Sequence, residues 1–263
     1  MKRLAIYLLL FIFWITGAVH ASTWKINDEY IGGKYDDSNY VKKEGDVIAI
    51  NTREFDIDWM NVTIKTNGDV KVRIKTRYED GTRDTTYGDL FVSTDGWNPK
   101  VDLNSWDSED TYERYRSDTY ETGERWEYAL SSSSGNIYSV DADNIWRSDQ
   151  EFSDPYYQNH WYRHEQEVLY KPGEEEASVG DFAFSHSGNL IKYAFNLSTL
   201  LGEDWSWEDE LDLGFHWAMT CANDVIEGGI YKAAAVPEPG TMLLLGMGLA
   251  SLGAAGRKRL RKQ

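Results

Sequence analysis

Four short acidic sets hold the residues best suited to chemistry in this chain: Asp36-Asp37, Asp56-x-Asp58, Asp141-x-Asp143-Asn144 and Asn223-Asp224. Carboxylate and amide oxygens grouped this closely suit a hard divalent cation, calcium above all, which takes about six to eight oxygen ligands. None of the sets follows the calcium loop that lies between two helices, with its spaced ligands and closing glutamate. Asp141, Asp143 and Asn144 are the expected calcium ligands, because they alternate within a predicted turn. The competing reading is a solvated acidic surface, since the chain holds 44 acidic residues and short pairs arise by chance.

Sugar chemistry is the second possibility. Glycoside hydrolysis needs two carboxyl groups roughly 5 to 9.5 Å apart across the bond that breaks. Glu210-Leu211-Asp212-Leu213 resembles the first half of the Glu-x-Asp-x-x-Glu motif of laminarinase-like hydrolases, but Gly214-Phe215 follows where the second glutamate should stand. Binding without hydrolysis needs only exposed aromatic rings beside polar groups. Trp97-Asn98 and Trp106-Asp107 lie in polar surroundings, so Trp97 and Trp106 are the expected sugar-stacking residues; Trp205 and Trp207 have acidic neighbours too. The alternative for any one tryptophan is core filling.

Other reactive types carry less. His160 and His164 have helical metal-pair spacing, but Glu165 follows the second histidine instead of sitting where a metalloprotease needs it. His186 and His216 fall within predicted strands and read as hydrogen-bonded structural residues. Cys221 stands alone, so no intrachain disulfide forms, and its apolar neighbours point to a buried thiol. Neither a Gly-x-Ser-x-Gly elbow nor a phosphate loop occurs.

Short β-rich runs separated by Gly, Asn, Asp and Ser must position these groups, which predicts an all-β, jelly-roll-like β-sandwich. The clearest element is a hairpin. Met60, Val62 and Ile64 alternate with polar residues, as do Val70, Val72 and Ile74 after Thr66-Asn67-Gly68. A three-residue loop with Gly68 left-handed pairs Ile64 with Val70, Val62 with Val72 and Met60 with Ile74 on one face. It also sets Lys65 against Asp69. A two-residue turn would oppose Ile64 to Lys71, so burial selects the longer loop. Further strands are predicted at 47–51, 89–93, 125–130, 137–140, 167–170, 181–186, 190–197, 211–219 and 225–231, with a tight turn at Gly188-Asn189. The polar stretches 98–123 and 171–176 read as loops.

Both ends carry signals. Lys2 and Arg3 precede an apolar run from Leu4 to Ile15, and Ala18-Val19-His20-Ala21 supplies a cleavage site. Residues 1–21 are therefore expected to be a signal peptide, leaving 22–235 as the ectodomain. At the other end Pro237-Glu238-Pro239 precedes an apolar run from Thr241 to Ala255, and then Arg257, Lys258, Arg259, Arg261 and Lys262. The run approaches the lower length limit of a transmembrane helix. Basic residues stay cytoplasmic, so the ectodomain faces outward. Prolines on both sides of Glu238 disfavour helix and leave an extended peptide before the membrane.

That order of motif, apolar segment and basic end resembles the PEP-CTERM sorting domain of Gram-negative bacteria. The resemblance covers residues 236–263. It implies recognition by an exosortase at the inner membrane, removal of the tail, and delivery to the outer surface, often in species that make exopolysaccharide. Phe215 to Gly228 and Gly88 to Ser93 are also similar to parts of the β-sandwich found in some such proteins.

Composition narrows the partners. Residues 22–235 hold 20 of the 27 basic and 43 of the 44 acidic residues, a net charge of −23. Such a surface repels phosphate backbones, which excludes nucleic acid. The sequence thus points to an exported, non-enzymatic component of the cell surface or biofilm matrix that binds polysaccharide with calcium support. A sandwich glycoside hydrolase with an atypical site is the alternative.

Overall fold

The computed structural model describes residues 20–28, 54–100, 118, 123–148, 165–235 and 246–249. Residues 1–19 of the predicted signal peptide, the predicted strand at 47–51, Asp36-Asp37, Trp106, His160, His164, Pro237-Glu238-Pro239 and Arg257 to Arg259 lie outside the described residues.

The predicted hairpin forms as expected. Strands β1 (Ala21–Asn27), β2 (Ile57–Lys65) and β3 (Asp69–Thr76) run antiparallel. Ile64 faces Val70, Val62 faces Val72 and Met60 faces Ile74. Gly68 has φ 85°, the left-handed backbone that this loop requires. Lys65 Nζ lies 3.0 Å from Asp69 Oδ2. All six apolar residues are buried. A one-residue slip would turn them to solvent, so burial enforces the register.

The remaining strands are β4 (Tyr87–Ser93), β5 (Tyr128–Ser131), β6 (Asn136–Ser139), β7 (Ile145–Arg147), β8 (Glu167–Tyr170), β9 (Gly180–Asp181), β10 (Ala183–Ser187), β11 (Leu190–Asn196), β12 (Leu211–Met219) and β13 (Val225–Lys232). One short helix, α1 (Ser198–Leu201), follows β11. The first sheet has the order β1-β2-β3-β11-β10, the second β13-β12-β4-β5-β6-β9, and β7 with β8 forms a separate ribbon. All of the strand pairings are antiparallel. Residues of both sheets share one hydrophobic core, with Met60, Val72 and Tyr193 from the first and Leu90, Phe215 and Trp217 from the second.

Three departures from the predicted strands have physical causes. The stretch 181–186 reads as one strand but divides at Phe182. Gly180–Asp181 pairs with β6 of the second sheet, and Ala183–Ser187 pairs with β11 of the first. Phe182 is buried at the crossing, its ring stacked 5.5 Å from Tyr193, and its N–H is held by the Gly135 carbonyl. The predicted 125–130 strand starts only at Tyr128, because Trp126 instead buries itself against Phe91, Ala129 and Tyr138. Strands β1 and β7 were not predicted, although Trp24 and Ile26 alternate within β1.

The second sheet is covered on both faces. Its far face carries two further apolar clusters. One joins Val168 of β8 to Ala218, Ala222 and Val225; the other joins Ile145 and Tyr170 of the ribbon to Phe91, Trp126, Ala129 and Tyr138. Strand β4 is accordingly buried at all seven positions. At Gly88 a Cβ would stand 2.1 Å from the Ala218 carbonyl oxygen and 2.7 Å from that of Val168, so only glycine permits this approach. No helix among the described residues is long and apolar enough to cross a membrane.

Candidate functional site

The most ionisable part of the covered face centres on His216. Outward residues of β12 are Asp212, Gly214, His216 and Ala218, and His216 is fully buried beneath the ribbon. Its Nε2 lies 2.7 Å from the Glu167 carbonyl oxygen, which can only accept, so Nε2 carries a hydrogen. Nδ1 lies 2.8 Å from Glu227 Oε2, across the β12–β13 ladder. Trp97 donates its indole N–H to Glu227 Oε1 at 2.7 Å. The Glu167 carboxylate stands 4.0 Å from His216 Nε2.

Burial governs where the protons sit. Desolvation pushes Glu227 up to about 8 and Glu167 up to about 8, while it lowers His216. Near neutrality Glu227 therefore holds its proton and donates it to a neutral His216. Each of these donors and acceptors then meets a partner without a net charge in the interior. Glu167 and Glu227 are 4% and 5% exposed, so the cluster is closed to solvent. It ties β8, β12, β13 and Trp97 together. A second buried carboxylate does similar work. Asp89 accepts from the Ser132 N–H, the Ser132 hydroxyl and the Tyr170 N–H, and burial pushes it up to about 6.

A different acidic group has the geometry to hold a cation. Asp28 follows β1, Asp56 precedes β2 and Asp224 precedes β13. Each offers an oxygen, and the three oxygens lie within 4.8 Å of one another. Asp224 also accepts from Ile57 N at 2.7 Å and from Val225 N at 2.9 Å. Arg77 Nη1 lies 3.3 Å from Asp56 Oδ2. Ala222, with φ 43°, makes the left-handed turn that leads into Asp224. Hard oxygens so arranged fit calcium better than a soft metal. Two of the acidic sets singled out by spacing, those with Asp56 and with Asp224, thus meet in space. Asp28 was not singled out, and only the sheet pairing reveals it.

Other candidate residues sit as follows. Asp141 caps a short 3-10 turn by accepting from Asp143 N at 3.1 Å, and Asp143 is exposed. Asn144 donates to Glu176 Oε2 at 2.7 Å. Trp97 is half-buried over Gly229. Glu210, just before β12, and Asp212, on it, are exposed, and the Glu210 carboxylate raises the pKa of the Tyr231 hydroxyl. His186 is exposed, its ring 5.3 Å from Tyr87. Cys221 is buried and free, its thiol pushed up to about 12 by burial, so it stays protonated.

The described β-fold reaches the residue at which the tail signal starts. Beyond β13, Lys232 Nζ donates to the Asp209 carbonyl at 2.6 Å, and the Ala235 N–H donates to the Glu208 carbonyl at 2.7 Å. Pro237-Glu238-Pro239 follows at once. Neither a curated protein nor a solved structure matches the chain. Residues 235–259 match the family model of the PEP-CTERM protein-sorting motif. The chain therefore carries, directly after its last β-strand, the signal of a PEP-CTERM protein: it is an exosortase substrate, targeted for export to the cell surface.

Proposed function

We propose that this chain is a non-enzymatic component of the cell surface or extracellular matrix that binds polysaccharide and draws structural support from calcium. The observation that carries the reading is the sorting motif at 235–259, which follows the strand Val225–Lys232 closely in the chain. In this reading residues 22–235 form a jelly-roll-like β-sandwich ectodomain behind a signal peptide at 1–21. The apolar run after Pro239 holds the chain in the inner membrane until an exosortase cuts it. The competing reading as a glycoside hydrolase is weakened by Phe215, which lies buried in the hydrophobic core where the motif begun by Glu210 and Asp212 needs its second glutamate.

Location tests the reading. Protease added to intact cells digests the protein, while a cytoplasmic marker survives; full protection of the protein overturns it. Calcium is tested separately. Millimolar calcium raises the melting temperature of the exported protein, and Asp28→Asn with Asp56→Asn abolishes that rise. An unchanged melting temperature in wild type removes calcium from the reading and leaves export standing.

A further inference from the structure

Only one Trp, Tyr or Phe among the described residues is exposed: Tyr231, at 56%. It lies on β13, an edge strand of the second sheet, on the same face as Gly229 and Glu227. Over most of that face the ribbon and Trp126 form a cover. At the Tyr231 end the cover stops, and Gly229, Tyr231 and the cross-strand partner Asp212 are all exposed.

Three glycines shape the floor. Gly229 pairs with Gly214 across the ladder, and a Cβ on Gly229 would stand 2.8 Å from Trp97 Cβ. Gly96, φ 100°, lies against the Asp212 carboxyl, where a Cβ would come within 2.9 Å of it. The backbone of Gly96 and Trp97 can therefore lie directly on the sheet. Trp97 stands over Gly229, and Tyr231 is two residues along the same strand face. Their footings are about 6.5 Å apart by strand rise.

The Trp97 ring is held in place, because Glu227 accepts from its indole, and the Glu210 carboxylate stands near the Tyr231 hydroxyl and raises its pKa. A ring fixed before binding loses little entropy on contact. Beside it, the exposed Glu210 and Asp212 carboxylates offer acceptors for hydroxyl donors. Glu208 and Asp209 add negative charge nearby, and Lys232 is turned toward Trp207, 5.1 Å from its ring. Stacking faces with flanking acceptors suit a sugar ring, and the charge disfavours an anionic polymer.

We propose that Tyr231 and Trp97, with Glu210 and Asp212, form a platform that binds consecutive rings of a neutral polysaccharide. The proposal rests on the polysaccharide-binding reading above and names its site. Tyr231 supplies the open stacking face, Trp97 the inner wall, and the two carboxylates orient hydroxyl groups.

The test is affinity electrophoresis of the full-length chain in detergent through gels containing a soluble β-1,3-glucan, a soluble β-1,4-glucan, dextran or alginate. Wild type is retarded by at least one neutral glucan. Tyr231→Phe keeps the ring and is retarded nearly as much. Tyr231→Ala weakens binding by about tenfold, the scale of one lost ring contact. Because Tyr231 is exposed at a sheet edge, the alanine variant should fold, and its unchanged melting temperature checks this. Equal retardation of wild type and Tyr231→Ala overturns the platform and leaves polysaccharide binding intact. Retardation by alginate alone overturns the choice of a neutral ligand. Wild type that runs freely through every gel overturns both the platform and the reading beneath it.

Discussion

Replacing Pro237, Glu238 and Pro239 together with alanine leaves the chain uncut, with its basic tail attached and its ectodomain tethered to the inner membrane. The wild-type chain is expected to lose that tail essentially completely. The motif sits inside the matched sorting segment, so the variant removes what the exosortase reads. Geometry gives a second reason. Ala235 hydrogen-bonds to the folded unit, and Pro237 is two residues further on. A processing enzyme must take hold of a short peptide between fold and membrane. Two prolines disfavour helix in such a peptide, and replacing them with alanine, the best helix former, removes that block. Membrane fractionation and mass determination of the carboxyl terminus check the result. If the variant is trimmed and released as wild type is, Pro-Glu-Pro is not the recognition element.

The second large effect is an alkaline loss of stability traced to the cluster around His216. Glu167 and Glu227 have folded values of about 8 against an ordinary value of 4.5, and burial is the main cause of both. A carboxyl raised by folding binds its proton more tightly in the folded state. Stability is thus greatest below the unfolded value and is lost as pH rises toward 8. His216 is lowered, so below about 6.5 the unfolded histidine takes a proton that the folded one does not, which offsets part of the slope. Between roughly pH 6.5 and 8 the offset from the histidine is gone, and the decline is steepest there. Asp118, Glu124 and the Trp97 indole face the same cluster; Glu124 is itself raised by burial, and the two acids reinforce the sign. Asp89, also raised, contributes in the same direction.

Glu227→Gln isolates the effect. The glutamine carbonyl can still accept from Trp97, and its amide can donate to His216 Nδ1, so both contacts survive while one titration disappears. The variant is expected to match wild type near pH 4 and to melt at a higher temperature than wild type at pH 8 and above. Glu227→Ala leaves two buried donors or acceptors without partners and costs about 3 kcal/mol even at pH 6. Thermal unfolding of the three proteins across pH 4 to 9 is decisive. If Glu227→Gln and wild type decline in parallel up to pH 9, Glu227 does not hold the proton assigned to it.

How much of this was legible in the chain depends on range. The hairpin from Met60 to Ile74 could be read to the residue, because strand alternation and a glycine in the loop fix partners only a few positions apart. Strands β8 and β12 matched their predicted limits for the same reason. The division at Phe182 was not legible, since the residues on both sides have one continuous β pattern. Only the packing of Phe182 between two sheets separates them. Trp126 likewise leaves its predicted strand for an apolar pocket made by β4, β5 and β6.

The candidate sites show the same limit. Spacing marked Asp56 and Asp224 as oxygen donors but could not join residues 168 positions apart, and it passed over Asp28. His216 was read as a hydrogen-bonded strand residue, which is what it is. Its partners Glu167 and Glu227 became visible only when the ribbon was laid across the second sheet. Among the described residues the exposed aromatic is Tyr231, whose local sequence differs little from that of buried tyrosines.

Export and sorting, by contrast, were determined by the sequence alone. A proline-flanked acid, an apolar run and a basic end are a contiguous message, read by a partner that needs no folded context. The tertiary structure decided which carboxylates meet, which protons are shielded and which ring stays exposed. Those properties depend on burial and on distances between strands remote in the chain, and linear order does not specify either.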